Sequence, residues 1–439
     1  MASQLEIGFG KIDYTPDFSM GMGGYGGDFK RSHVEVVMPV YITCIAAKQD
    51  GVTALVYTVD TCGFRRELAD MFRIAIEEAT GVPGSHIIFG ATHGHNCPTT
   101  APLSNPLVAK MVDLMQAAAV EAAKAAIEDL APAKIFGVKP VLPGLNFTRH
   151  YRMPGGKRST TNTGITKDMV TTGHLGPSDP QMVIVKFARE EKPDVVLCNW
   201  QAHPDDARQI GFDKMAPGYP GPFRDQLEKI SGCHVAFIQG ASGNQVRDSR
   251  HKELSHGLDW NNYGIHLARK AYAAFNQFVP VEADGIFVTR HILTVDVNHA
   301  EDDKLEAARE IDRLLDDGKR EEAIALLAPN GIRSLSHASG ILMRGNMKAT
   351  GELELNALRI GEVGFAVNTC ETFSDQGLYI KNYSPYEFTF VVTGNRSYLP
   401  GNQSYDYPCY EATGGSGYYA RGTAEKMADK LVQMLCEIV

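Results

Sequence analysis

The hydrophobic positions of this chain fall into short unbroken runs that alternate with longer stretches of helical period. "VYITCIAAK" and "TALVYTVD" are two apolar runs joined by "QDG", whose Gly accepts positive φ, and they read as a β-hairpin. "RELADMFRIAIEEATG" has helical spacing and closes on Gly. "SHIIFG" is a buried strand, "NPLVAKMVDLMQAAAVEAAKAAIEDLAP" a long Ala-rich helix stopped at Pro132, and "AKIFGVKPV" a strand again. Further strands are "PQMVIVKFA", "DVVLCNWQAHP", "HVAFIQGASGN", "GELELNALRIGEVGFAVNT" and "FTFVVTG". Further helices are "GPFRDQLEKI", "NNYGIHLARKAYAAFNQF" and "GTAEKMADKLVQMLCEI". Hairpins and strand-helix-strand units both occur. The expected fold class is therefore α/β, with a mixed β-sheet core flanked by helices.

Two segments depart from this pattern. From Pro143 to Pro180 the chain is rich in Gly, Thr, Arg and His and has little periodicity. A loop of that length is functional or disordered. Its Arg149, Arg152, Lys157 and Arg158 would favour a polar or anionic small molecule if the loop covers a site, and are a solvated surface if it does not. The second segment, Glu301 to Ala328, is highly charged and reads as a helical hairpin turning at "DDG", an insertion over residues 300–330. No internal repeat is visible, and residues 1–439 are expected to form one domain.

Composition narrows the function classes. Hydrophobic residues make up 44% and charged residues 22% of 439, as in an ordinary globular protein. A net charge of -9 argues against a nucleic-acid partner. There is no apolar run of membrane-spanning length and no stretch that reads as a secretory signal or a membrane anchor. None of the eight cysteines forms a C-x-x-C pair, so reduced thiols in a cytoplasmic protein are expected. The sequons at Asn146 and Asn395 read as chance matches.

Sites in α/β proteins gather at strand ends. His93 and His95 end "HIIFG", Arg149 follows "VLPGLNFT", and His203 ends "VVLCNWQA". Ser242 and Asn244 follow "HVAFIQG", Glu371 ends "GFAVNTC", and Tyr398 ends "VVTGNRS". In extended backbone residues i and i+2 share a side, so both rings of "HGH" can enter one cleft. Two His, a Glu and a Tyr could form a nitrogen and oxygen shell for zinc. The same residues are also compatible with a hydrogen-bonded loop at His93/His95, a turn at His203-Pro204, a helix cap at Glu371 and plain packing at Tyr398.

The landmarks, in order, resemble the catalytic domain of the neutral, non-lysosomal ceramidase family. "GFGKIDYTP" and "MGGYG" are similar to its opening, and "YTVDTCG" to a strand ending in Asp. "GATHGHNCP" resembles T-H-T-H-S-G-P, with Gly94 for Thr and Asn96-Cys97 for Ser-Gly. "NFTR", "SDPQMVIVKF", "WQAHP", "APGYPGPFRDQLE" (Gly218 for Asp), "FIQGASGN", "NTCETFSDQG", "SYLP" and "CYEATGG" follow over most of the chain. The resemblance implies one zinc held by His93, His203, Glu371 and Tyr398, with His95, Arg149 and Tyr410 lining the reacting carbonyl. It implies a zinc-dependent amidase. Where the family carries a Ser beyond the Gly-rich turn, this chain has Val246, so no role for that Ser transfers. No C-terminal immunoglobulin-like domain is expected, which points away from ceramide toward a small polar substrate. An esterase or lactonase on the same site, and a binding protein that kept the shell without turnover, are the alternatives. No G-x-S-x-G elbow occurs.

Overall fold

The computed structural model describes residues 4–25, 31–161, 169–394 and 397–439. Its larger sheet has nine strands: β1 (Glu6–Asp13), β2 (Tyr41–Gln49), β3 (Val52–Val59), β4 (Ile87–Ala91), β5 (Ala131–Val138), β6 (Val183–Arg189), β7 (Val195–Trp200), β8 (His234–Gln239) and β9 (Val279–Val281). Their spatial order is β8-β7-β6-β5-β1-β2-β3-β4, with β9 pairing β5. β3 and β4, and β7 and β8, run parallel, and the other pairs are antiparallel. The hairpin expected at "QDG" joins β2 to β3, with Asp50 and Gly51 both at positive φ.

The smaller sheet is β10 (Ile286–Asp296), β11 (Thr350–Ile360), β12 (Val363–Asn368) and β13 (Phe388–Thr393), in that order. The two sheets stack face to face. Phe9, Phe187, Leu197 and Ile238 of one meet Leu358, Phe365 and Phe390 of the other in a shared buried cluster. Helices close both outer faces. α1 (Arg66–Thr80) and α2 (Pro106–Glu128) cover one half of the larger sheet, and α3 (Pro220–Ser231) and α4 (Trp260–Ala273) cover the other. The fold is thus mixed α/β, four layers deep, as the patterning implied.

One contact shows how composition sets these distances. α2 buries Ala118, Ala119, Ala122, Ala123 and Ala126 against β1. A Cβ on Gly8 would lie 1.8 Å from the Ala126 carbonyl oxygen, and one on Gly10 2.2 Å from that of Ala122. The glycines of "GFG" and the alanines of α2 together let backbone rest on backbone.

The charged segment after β10 forms α5 (Leu305–Asp316) and α6 (Arg320–Ala325), turning at Asp317-Gly318, and a third helix α7 (Leu335–Gly345) completes a small lobe around Ile311, Leu314 and Ile341. α8 (Ser374–Tyr383) and α9 (Thr423–Glu437) cover the smaller sheet. The long loop carries short strands at Phe147–Thr148, His150–Arg152, Arg158–Thr160 and Gly173–His174, while its residues 162–168 and the sequon at Asn395 lie outside the described residues. Among the described residues no helix is long and apolar enough to cross a membrane.

Candidate metal centre

β4 and β7 are far apart in the order of the larger sheet, yet the segments that follow them meet. His93 follows β4, and His203 follows β7 with its backbone N–H donating to the Gln245 carbonyl. The chain around "HGH" is not extended, as the sharing of a side by i and i+2 assumed. His93 has φ +64, a conformation that costs a side chain roughly 1–3 kcal/mol and that concentrates at functional sites. Gly94 then permits the turn, since a Cβ there would stand 2.6 Å from Cys97 Sγ and 2.8 Å from the Pro217 carbonyl oxygen. The two rings still converge, because the turn and not the strand pleat aims them.

Three ring nitrogens meet. His93 Nε2 is 2.9 Å from His203 Nε2, and His95 Nε2 is 3.2 Å from each. His93 Nδ1 lies 2.7 Å from the Cys62 carbonyl and His203 Nδ1 3.3 Å from the Ser242 carbonyl. A carbonyl only accepts, so in the neutral rings both Nδ1 atoms carry the proton and both Nε2 lone pairs point at each other. Such a pair repels unless a cation stands between its members. Glu371 Oε2 lies 3.4 Å from His93 Nε2 and 3.9 Å from His203 Nδ1, and is itself buried with no hydrogen-bond partner.

The titration of the rings follows from this crowding. Burial opposes charge on His93, but Glu371 and Cys62 outweigh it and its pKa is raised to about 10. Burial and the charge on His93 push His95 and His203 well below the ordinary histidine value. The cluster therefore holds one proton where a divalent cation would sit. Two nitrogens each about 2.0–2.1 Å from a tetrahedral zinc lie about 3.3 Å apart. The donor set and its spacing fit such an ion.

Glu371 and Tyr398 are brought together by a short parallel pair, Glu371–Thr372 with Tyr398–Leu399, in which these two residues are register partners. Glu371 is not a helix cap, since α8 starts after Phe373. Its segment is braced by the Gly-rich turn: Gly243 N–H donates to the Thr372 carbonyl, and Asn244 hydrogen-bonds Ser374 through both atoms of its amide. His95 is held from the amino-terminal segment. Tyr25 meets its ring edge-on at 5.1 Å, Arg31 donates to its carbonyl, and Gly24, at φ +103, lies so close that a Cβ would be 2.5 Å from the ring.

His93, His95, Glu371, Tyr398 and Tyr410 open onto one cleft of about 350 Å³. Its other walls carry Thr61, Cys62, Arg65, Thr99, Thr100 and Ser416, none of which stood out in the sequence. Arg149 is placed differently from the expectation. It lies behind Tyr398 rather than on the cleft, with Nε donating to Glu411 Oε1 at 2.7 Å and Nη2 to the Gly243 carbonyl at 2.8 Å. Glu411 was overlooked although it is the one acid in "PCYEATGG". Burial works against its charge, but Arg149 and His150 hold its carboxyl well below the usual range. Lys157 and Arg158 line a separate cavity with Met153 and Tyr407, so the described part of the basic loop does not supply the cleft's charge. Val246 stands on another cavity beside Tyr151 and Arg250, and its backbone bridges His203. Asn146 is buried and hydrogen-bonded to the Asp179 carbonyl.

The fold is shared with solved ceramidase structures. The chain is similar to the crystal structure of neutral ceramidase from Pseudomonas aeruginosa at a TM-score of 0.71 and 17% identity, over 98% of this chain and 74% of that one. It is similar to a ceramidase complexed with C2 at a TM-score of 0.71 and 16% identity, over 98% of this chain and 75% of that one. No protein-family model matches the sequence, and no curated protein does.

Proposed function

We propose that the protein is a zinc-dependent hydrolase that cleaves the amide bond of a small polar N-acyl compound. The observation that carries this reading is the convergence of two Nε2 lone pairs and a partnerless buried carboxylate, His93, His203 and Glu371, at the mouth of a cleft in a ceramidase fold. These three residues, joined by Tyr398, would hold the ion. A bound zinc polarises a carbonyl and lowers the pKa of water toward about 7.

The remaining groups belong to the protein. Glu371 approaches His93 and His203 but not His95, which supports keeping His95 off the ion. His95 then presents Nε2 to the cleft, where a neutral imidazole accepts the proton of the attacking water and returns it to the leaving amine. Tyr410, on the cleft wall with its hydroxyl kept protonated by burial, donates to the carbonyl oxygen as charge develops there. No serine nucleophile is needed.

Cleft size supports the substrate class. About 350 Å³ is at the small end for ligand sites, and among the described residues no Leu, Ile, Val, Met or Phe lines it. A long acyl chain would find no apolar groove among the described residues, whereas threonine and serine hydroxyls suit a compact polar acyl group. A reducing, cytoplasmic setting is part of the reading, supported by cysteines without paired spacing.

The test is hydrolysis of matched acetyl and long-chain amides, with the corresponding esters, by protein of measured zinc content. Short polar amides should be cleaved, chelation should abolish turnover and zinc restore it, and His203→Ala should be inactive. Turnover indifferent to chelator, or a preference for long chains, contradicts the reading.

A further inference from the structure

Arg149 and Glu411 are both buried, at 3% and 0% exposure, and a buried guanidinium persists only with a partner. The pairing is geometrically complete. Glu411 accepts from Arg149 Nε at 2.7 Å and from Cys409 Sγ at 3.1 Å, and lies 3.4 Å from His150 Nε2. His150 is fixed in turn by the Tyr407 hydroxyl, 2.7 Å from its Nδ1. On its other side Arg149 is anchored by Nη2 to the Gly243 carbonyl, and its own N–H donates to the Asn244 carbonyl. That turn also braces the Glu371 segment. What the guanidinium still offers is directed at Tyr398: Cζ stands 5.4 Å from the ring centroid, and the phenol is a hydrogen-bond partner.

We propose that Glu411 and Arg149 are a positioning pair that fixes the Tyr398 phenol in the metal shell, and that Arg149 does not donate to the reacting carbonyl. This rests on the ligand set proposed above. Three observations favour it over a carbonyl donor. Tyr398 and Tyr410 line the cleft and Arg149 does not. The guanidinium fork is held by Glu411 through Nε and by the Gly243 carbonyl through Nη2. The adjacent pair Tyr410-Glu411 divides accordingly, the tyrosine facing the cleft and the carboxylate the arginine. Tyr398 sits on a strand of only two residues, paired with the equally short strand of Glu371, so support from Arg149 holds an oxygen that its own strand holds weakly.

The experiment uses the full chain loaded with copper(II) instead of zinc, because a phenol oxygen bound to copper gives a tyrosinate-to-copper charge-transfer band. The parent should show the band and Tyr398→Phe should lose it. Arg149→Lys, Glu411→Gln and the paired Arg149→Met/Glu411→Leu, which removes both charges and leaves neither one orphaned, should weaken the band. They should also lower metal retention by about 10–100-fold, as loss of a group that orients a ligand does. Adding the paired substitutions to Tyr398→Phe should lower metal retention no further than Tyr398→Phe alone, since both act through one oxygen. A paired variant that keeps the parent's band and metal retention while losing turnover overturns the proposal and returns Arg149 to the carbonyl. A parent with copper at full content and no band removes Tyr398 from the shell, and overturns the ligand set together with the inference.

Discussion

Zinc binding should release protons, and the number released can be worked from the cluster. Without metal, His93 keeps its proton up to about pH 10, because Glu371 and Cys62 outweigh the burial that opposes its charge. His95 and His203 are already neutral. Burial and the Glu371 charge raise the Tyr398 phenol above its ordinary value. A metal ligand must be deprotonated to bind. The sign follows: a group whose pKa is raised in the metal-free site holds its proton below that pKa, and zinc must displace it. Between about pH 7 and 9 one proton leaves His93 and one leaves Tyr398. Apparent affinity should therefore rise about tenfold per pH unit for each proton, about a hundredfold per pH unit for the two together. The assay is competition with a chromophoric chelator of known affinity at each pH. Calorimetry in buffers of different ionisation enthalpy counts the protons independently. Tyr398→Phe should reduce the slope from two protons to one. An affinity that does not change with pH over that range would refute the assignment of the proton to the His93 cluster.

Other consequences are more local. His93→Ala should lose zinc and activity together, whereas His95→Ala should retain its zinc and fold and lose turnover by about 10²–10⁴; metal analysis beside hydrolysis decides between them. Gly94→Ala should destabilise the protein by about 1–3 kcal/mol in denaturant melts and lower its metal content, because the new methyl meets Cys97 Sγ and the Pro217 carbonyl at the His93–His95 turn. In the helical lobe, burial works against the Glu301 charge, but His337 and Lys304 lower its pKa to about 2. A depressed carboxylate stabilises above its unfolded pKa of about 4.3, and the stability is lost as pH falls through the folded value. The stability deficit of Glu301→Gln should therefore be full at neutral pH and shrink from about pH 4.3 toward 2.

Much of the fold was legible because its strands are buried on both faces and so appear as unbroken apolar runs, as in "TALVYTV" and "DVVLCNW". The first strand was not, because Gly8 and Gly10 interrupt its apolar face for a helix that only the tertiary structure supplies. β10 was missed for the opposite reason: most of its residues are half-buried or exposed, and charged and apolar positions mix. α7, "LSHASGILMRG", has Arg344 as its one long charged side chain, where α5 has several. At the site, the strand-end positions of His93, His203 and Glu371 suggested one cluster, and the three side chains do lie together. The position of Arg149 was not legible. A basic residue in an irregular loop points to solvent or to a site equally well, and its burial depends on Glu411, more than 250 residues later. The polar walls at Thr61, Thr99 and Ser416 carry no signal in one sequence, because a hydroxyl at a loop position is the ordinary case.

The central claim is that a single metal binds between His93, His203 and Glu371. Anomalous diffraction above and below the zinc edge, from crystals of chelator-free protein, tests it most directly. The account predicts one strong peak within about 2.0–2.2 Å of His93 Nε2, His203 Nε2 and a Glu371 carboxylate oxygen. Crystals grown with zinc present that show no peak in that cleft, or show it elsewhere in the molecule, would contradict the account.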